Sequence, residues 1–449
     1  MLDLETIRTR TDEVRRNTEN RRMKADVDKV LRLAKERSAL IVDADRLRGE
    51  IKKESSLLGF RLGGKAKQLK AQKEDGQAVD EIGELAALRE RVKSKVAELK
   101  TLLGNTEKDL ATVEAELRDE QSKIPNLTHP ESPIGPDEAH NKELRRSGDI
   151  PKFDFKPRDH IAIGEALGLV DFDAGTKVTG SNFYFLKNEA VLLELALARF
   201  ALETLRSEGF TLHETPDMAK MKVLEGCGFS PRGEESQIYR IDGMDLGLIA
   251  TAEITLGGML MDEILPAERL PMKSGGISHC FRVEAGAYGR ASRGLYRVHQ
   301  FTKVEMFAFT RPEDSDAMHM DLLRIEESIY QRLGIPYRVI DICTGDLGGP
   351  AYRKFDLEAW MPGRGEGGQW GEITSTSNCT DYQARRLGIR FRRAQGAKPE
   401  LVHTLNGTAI AMSRTIIAIL ENFQQADGSV TVPEALRPLC GFDRIRPRR

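Results

Sequence analysis

The sequence predicts an α+β protein in which a long antiparallel helical hairpin precedes an antiparallel-sheet domain. Three observations carry this. Up to about residue 120 the chain is rich in Lys, Glu, Leu and Ala and follows an apolar heptad. A proline cluster then begins at Pro125. After it, β-rich runs succeed one another without regular βαβ alternation.

The 449 residues suggest two or three domains at roughly 150 residues each. With 40% hydrophobic and 31% charged residues, composition excludes a disordered or membrane class. Lys plus Arg number 68 against 70 Asp plus Glu, so a wholly basic nucleic-acid binder is excluded and a local basic patch is not. The cysteines (Cys227, Cys280, Cys343, Cys379, Cys440) are scattered and odd in number, which speaks against a disulfide framework or zinc ribbon and for a cytoplasmic protein. Neither a signal peptide nor a membrane span is expected: MLDLETIRTR lacks an apolar core, and AIAMSRTIIAILENF is interrupted by Arg414 and Glu421.

Two helical seams are legible. One runs Val30, Leu33, Arg37, Leu40, Ala44, Leu47, Ile51, Leu58; the other runs Ile82, Leu85, Arg89, Val92, Val96, Leu99, Leu103, Leu110, Val113, Leu117. The Gly63-Gly64 break between them predicts a hairpin with arms of roughly 45 to 60 Å. Its tip carries Arg61, Lys65, Lys67, Lys70 and Lys73 without an intervening acid. That reads as a phosphate-backbone contact or, on charge alone, as a solvated helix end. Gly59 to Lys65 has GxxxxGK spacing, but Ala66 replaces the needed hydroxyl and no strand precedes, so this is no P-loop.

IPNLTHPESPIGP stops the second helix and reads as a linker, giving expected divisions at 1–121, 122–138 and 139–449. Val191 to Leu205 reads as an amphipathic helix, and a closing helix is expected from Ala409 to Gln425. Between them HCFRVEA and VHQFTKVEMFAF read as antiparallel strands joined by a glycine-rich basic loop. Period-two alternation puts Arg282 and Glu284 on one face of the first, and Phe301, Lys303 and Glu305 on one face of the second. A cation, carboxylates and an aromatic plate suit a nucleotide and an amino acid; cross-strand ion pairing on a solvated sheet accounts for them as well.

These residues resemble the seryl-tRNA synthetases, a class II aminoacyl-tRNA synthetase family, in order along essentially the whole chain. FRVEA, GRASRGL and RVHQFTKVE resemble motif 2; EGFTLHETP resembles motif 1 of the dimer interface; HTLNGTAIAMSRTIIAILENFQQADGSVTVPEALRP resembles motif 3 and the family's C-terminal run. IATAEI, GEITSTSN and TDYQARR resemble the blocks around serine and magnesium. The resemblance implies a class II antiparallel-sheet catalytic domain and a homodimeric, cytoplasmic ATP-dependent ligase. Such an enzyme activates L-serine to seryl-adenylate and charges tRNA(Ser), with tRNA(Sec) left open as a second acceptor.

Site roles come from the same resemblance. Arg282 would hold the α-phosphate and Arg414 the γ-phosphate, as the two catalytic groups. Phe301 would stack on adenine and Glu284 accept from its amine, with Val283, Val298, Ile373 and Thr374 completing the ATP site. Glu372 and Ser375 would bind ATP and ligate Mg2+. Strict alternation puts these two on opposite faces, so a bulge or a shifted strand boundary is expected; a Ser- and Thr-rich strand bonded within the sheet is the structural alternative. Thr251, Ala252, Glu253, Glu305 and Thr408 would bind serine, and the basic tip the tRNA.

The chain departs from the family at Ala291 and Ser292, where Asp and Thr are common, and at Thr408, Ala409 and Ser413, where many bacterial members have Ser, Gly and Gly. Two rivals are a carrier-protein ligase, against which the long hairpin speaks, and an inactive synthetase-like protein, against which the retained charged residues speak.

Overall fold

The computed structural model describes residues 1–57, 63–64, 67, 78–229, 238–284 and 294–448. They fall into two compact units: residues 2–18 with 23–124, and Met1 with Glu19–Arg22 and Pro125–Arg449.

The first unit is helical, with four described helices where the heptads predicted two: α1 (Leu4–Thr9), α2 (Thr11–Asn20), α3 (Val27–Ser56) and α4 (Ala78–Lys123). The first two are too short to show a heptad. Asp26 caps α3, accepting from the Lys29 N–H at 2.8 Å. Val30, Leu33, Ala44 and Leu47 are buried on α3, and Val92, Val96, Leu99, Val113 and Leu117 on α4; Arg89, placed on the seam by its spacing, is exposed. Ion pairs Lys29–Glu120 (2.9 Å), Arg37–Glu114 (2.9 Å), Arg48–Glu107 (2.9 Å) and Glu54–Lys95 (2.6 Å) run in opposite directions along the two helices, which fixes them as antiparallel. Such solvated pairs select register more than they add stability. The 46 residues of α4 extend it to about 69 Å.

The second unit is built on an eight-stranded sheet among the described residues: β1 (Lys142–Ser147), β2 (Thr211–Glu214), β3 (Met272–Phe281), β4 (Gln300–Thr310), β5 (Tyr337–Asp341), β6 (Arg353–Met361), β7 (Gln369–Thr380) and β8 (His403–Ala411). The order is β1-β5-β6-β7-β8-β4-β3-β2, antiparallel throughout except β2 beside β3. The helices around it include α5 (Glu189–Ser207), α6 (Ala252–Gly258), α7 (Ser315–Leu333) and α8 (Met412–Asn422).

Alternation along the strands divides the two faces. Val304, Met306, Phe355, Leu357 and Leu405 turn to one side and form the main core with Leu193 and Leu197 of α5, Leu322 and Ile329 of α7, and Ile416 and Ile419 of α8. Phe307 and Phe309 turn the other way, into a second cluster with Ile254, Leu256, Leu387 and Phe391. On that second side Phe301, Lys303 and Glu305 continue the row and face a cavity.

Two expected boundaries shift. The closing helix begins at Met412, because residues 409–411 belong to β8. Strand β3 ends at Phe281, so Arg282, Val283 and Glu284 lie beyond it, with Glu284 at φ +51°. The proline-rich segment is held along the sheet unit: the Asn126 and His129 N–H groups donate to Gly349 O and Tyr352 O at 2.9 Å, and the Gly345 N–H to Gly135 O at 2.8 Å.

Candidate active site

The cavity on the second face of the sheet has a volume of about 370 Å³ and gathers side chains from β4, β6, β7, β8 and the start of α8. Arg282, Glu284, Val298, Phe301, Glu372, Ile373, Thr374, Ser375 and Arg414 line it, as do Thr251, Glu253, Glu305 and Thr408. Of the expected residues among those described, Val283 and Ala252 do not. Each sits between two that do: Val283 in the segment past the end of β3, and Ala252 in the first turn of α6.

Two bulges aim the side chains. In the β6–β7 ladder Leu357 pairs with Thr374 and Glu358 with Glu372, so Ile373 is the extra residue. The insertion brings Glu372 and Ser375 to the same face, which strict alternation forbids. Thr374 touches the cavity, but its hydroxyl points to the helix side and donates to Glu326 Oε2 at 3.0 Å. In the β8–β4 ladder Thr408 pairs with Glu305 and Ile410 with Val304, making Ala409 the second bulge.

Two of the lining carboxylates, Glu253 and Glu305, are under amide and ammonium control. Thr251 caps α6, its hydroxyl accepting the Glu253 N–H at 3.2 Å. Gln383 Nε2 (2.6 Å) and Asn406 Nδ2 (3.0 Å) both donate to Glu253 Oε1. Burial, and then the charge of Glu305, push the Glu253 carboxyl up to about 7. Glu305 is 1% exposed and also raised by burial, against the pull of Lys303. Lys303 Nζ lies 2.5 Å from Glu305 Oε2 and 3.4 Å from Thr408 Oγ1.

Around Arg282 and Arg414 the lining is mixed in sign. The Arg282 guanidinium rests 5.3 Å from the Phe301 ring centroid. Glu284 meets Arg297 Nη1 at 2.7 Å. Arg414 Nη1 lies 3.1 Å from Glu372 Oε1 and donates to Glu372 O at 3.1 Å, while its guanidinium lies 4.7 Å from the centre of the Tyr296 ring. Burial works against ionisation of Glu372, but Arg414, Lys354 and Arg282 outweigh it and bring the carboxyl down to about 2. Asp356, opposite Ser375 in the ladder, is pushed the other way by burial, and its Oδ1 is buried without a hydrogen-bond partner.

The sequence reading put Lys303 on the site's face without giving it a role, and it missed Lys354, Asn406 and Tyr296; all four line the cavity. Alternation had put Lys303 on the right face, and the same rule places Lys354 on the cavity side of β6 and Asn406 beside Thr408 on β8. Of the basic tip, Lys67 is exposed, while Arg61, Lys65, Lys70 and Lys73 lie outside the described residues, as do Ala291 and Ser292.

Comparison with known proteins matches this arrangement from both ends of the chain. Residues 1–85 fit the seryl-tRNA synthetase N-terminal domain, and residues 238–423 the class II tRNA synthetase core domain (G, H, P, S and T). The serine–tRNA ligase of Rubrobacter xylanophilus is 56% identical over 100% of both chains. The chain belongs to the seryl-tRNA synthetase family. It is by that membership an aminoacyl-tRNA ligase, and nothing favours the carrier-protein or inactive readings. The serine–tRNA ligase of Treponema denticola is 53% identical over 99% of this chain and 100% of its own. The fold matches the crystal structure of seryl-tRNA synthetase from Pyrococcus horikoshii complexed with ATP, with TM-score 0.83, 39% identity and full coverage of both chains. No described helix is long and apolar enough to cross a membrane.

Proposed function

We propose that the synthetase activates L-serine with ATP and charges tRNA(Ser) in the cytoplasm, with the residue roles that its family resemblance implies. In the first step a serine carboxylate oxygen attacks the α-phosphorus in line, the bond to the β-phosphate oxygen breaks, and diphosphate leaves. In the second, a terminal ribose hydroxyl of tRNA attacks the seryl carbonyl and AMP leaves. Neither step needs more from the protein than positioning and charge neutralisation. The observation that carries the reading is one cavity lined both by the carboxylates Glu253 and Glu305 and by the guanidiniums Arg282 and Arg414. The first pair suits an ammonium and a hydroxyl, the second a triphosphate.

Arg282 would leave the Phe301 ring for the α-phosphate as adenine takes its place there, and Glu284 would exchange Arg297 for the adenine amine. Val283, Val298, Ile373 and Thr374 would complete the nucleotide site. Thr251, Ala252, Glu253, Glu305 and Thr408 would form the serine pocket. Glu372, held ionised, and the Ser375 hydroxyl are hard oxygen donors on one face, a set that fits Mg2+ shared with phosphates. Bound there, the ion would neutralise phosphate charge.

Arg61, Lys65, Lys67, Lys70 and Lys73 would meet the tRNA backbone, reading shape more than sequence. A homodimer is supported by exposed apolar residues on adjoining elements: Leu192 and Leu195 (62% exposed) of α5 and Leu212 of the sheet-edge strand β2. The deciding experiment is ATP–pyrophosphate exchange with each of the twenty amino acids, with and without magnesium. Serine alone should support exchange, and only with the metal. Exchange with another amino acid, or with none, would overturn the reading. Light scattering should give twice the chain mass.

A further inference from the structure

Arg414 sits near the start of α8, and Glu421 two turns further along the same helix. Glu421 is 1% exposed, and its Oε1 accepts from the His160 backbone N–H at 3.0 Å and faces His160 Nδ1 at 2.9 Å. Its Oε2 accepts the Gly363 N–H at 2.9 Å. On the far side of the imidazole, Nε2 lies 3.2 Å from the Leu295 nitrogen. An amide N–H only donates, so Nε2 is the acceptor and the ring proton sits on Nδ1, where it donates to Glu421.

Gly294 reinforces the contact. A Cβ at that position would lie 2.6 Å from His160 Nε2, so only a bare backbone comes this close. The next residues carry the site: the Tyr296 ring stacks on Arg414 while its backbone carbonyl oxygen accepts from Arg414 Nε at 3.4 Å, and Arg297 pairs with Glu284. Helix α8 therefore holds the short segment Gly294–Arg297 at two points, directly through Arg414 and indirectly through Glu421 and His160.

We propose that His160 is a positioning residue for ATP: fixed by Glu421, it takes the Leu295 N–H and so sets Tyr296 and Arg297 against Arg414 and Glu284. This rests on the adenylation reading above. Two substitutions separate the halves of the imidazole. In His160→Asn the amide stands where Nδ1 was and still donates to Glu421, with nothing left for Leu295. In His160→Gln the carbonyl reaches the Nε2 position and accepts from Leu295, while the donor to Glu421 is lost. A cavity of about 230 Å³ beside His160 and Tyr296 gives either side chain room.

In serine-dependent pyrophosphate exchange, His160→Asn should raise KM for ATP about tenfold and leave KM for serine within about twofold. His160→Gln should restore it to within about threefold of the parent. Should His160→Asn fail to fold, Gly294→Ala pushes the same contact apart from the other side and should raise the ATP KM alone. The proposal is overturned by Gln proving worse than Asn, by equal losses in both, or by an unmoved ATP KM. Calorimetry with ATP alone ranks the same variants without an amino acid, so failure of the serine reading would show in the parent enzyme and failure of this one in the ranking.

Discussion

The cavity's carboxylates are tuned in opposite directions, and each direction has a measurable result. Glu253 has its folded-state pKa raised from 4.5 to about 7, so it is largely neutral below that pH and ionised above it. An ammonium ligand pairs with the ionised form. Serine affinity should therefore tighten as pH rises toward 7, by up to about tenfold per unit, and level off above it. Glu253→Gln should bind weakly at every pH, and a flat profile for the parent enzyme in direct titration would remove the proton from the binding step. Glu326 is a different case: it is buried beneath the sheet, its Oε1 has no hydrogen-bond partner, and burial raises its carboxyl well above the usual range. An acid whose folded pKa is raised lets stability fall as pH climbs from the unfolded value toward the folded one. Glu326→Gln should accordingly raise the melting temperature at pH 7.5 and change it little near pH 4.5; equal shifts at both would contradict the cause. Much of this chemistry was open to sequence reasoning, since alternation alone puts Phe301, Lys303 and Glu305 together. The braces on Glu253 were not, because Gln383 and Asn406 come from remote elements and only the fold brings them within 3.0 Å.

Among elements, the paired bulges at Ile373 and Ala409 matter most. They lie on neighbouring strands β7 and β8, and each turns a hydroxyl-bearing strand so that residues three apart share the cavity face. The demand for a bulge or a shifted strand boundary followed from the family resemblance, which makes Glu372 and Ser375 joint metal ligands that cannot share a face on a regular strand. The bulge's location did not, since register is a property of the pairing partner. Helix boundaries failed for a similar reason: Ala409 to Ala411 read as helix by composition, yet β4 offers Ile410 and Ala411 the ladder partners Val304 and Lys303. If the bulge serves to place Ser375 beside Glu372 as a metal ligand, Ser375→Ala should raise the magnesium concentration for half-maximal exchange about tenfold without altering the melting temperature. An unchanged magnesium titration would leave Ser375 as a sheet hydroxyl only.

For the whole molecule, the chain's division into two units raises the question of which one each step of the reaction needs. Every cavity-lining residue lies at or beyond Cys227, in the sheet unit. That unit also contains Arg21, whose buried guanidinium donates to Asn126 O and Ala351 O at 2.9 Å each and to Gly348 O. Gly348 and Ala351 line the cavity, so Glu19–Arg22 must be kept in any truncation. The ion-pair register shows where to cut: Arg48 and Glu107 meet at 2.9 Å across the hairpin, so replacing residues 49–106 with a short turn leaves the inner part of both helices paired. The cavity's lining is untouched by this change, and serine-dependent pyrophosphate exchange should stay within about threefold of the parent. The removed segment contains Arg61, Lys65, Lys67, Lys70 and Lys73, and phosphate contacts supply much of nucleic-acid affinity. Charging of tRNA(Ser) should fall by at least about a hundredfold, and raising the salt concentration, which weakens charging by the parent, should no longer affect the remainder. Loss of both activities would mean the hairpin supports adenylation itself; retention of both would place tRNA recognition on the sheet unit.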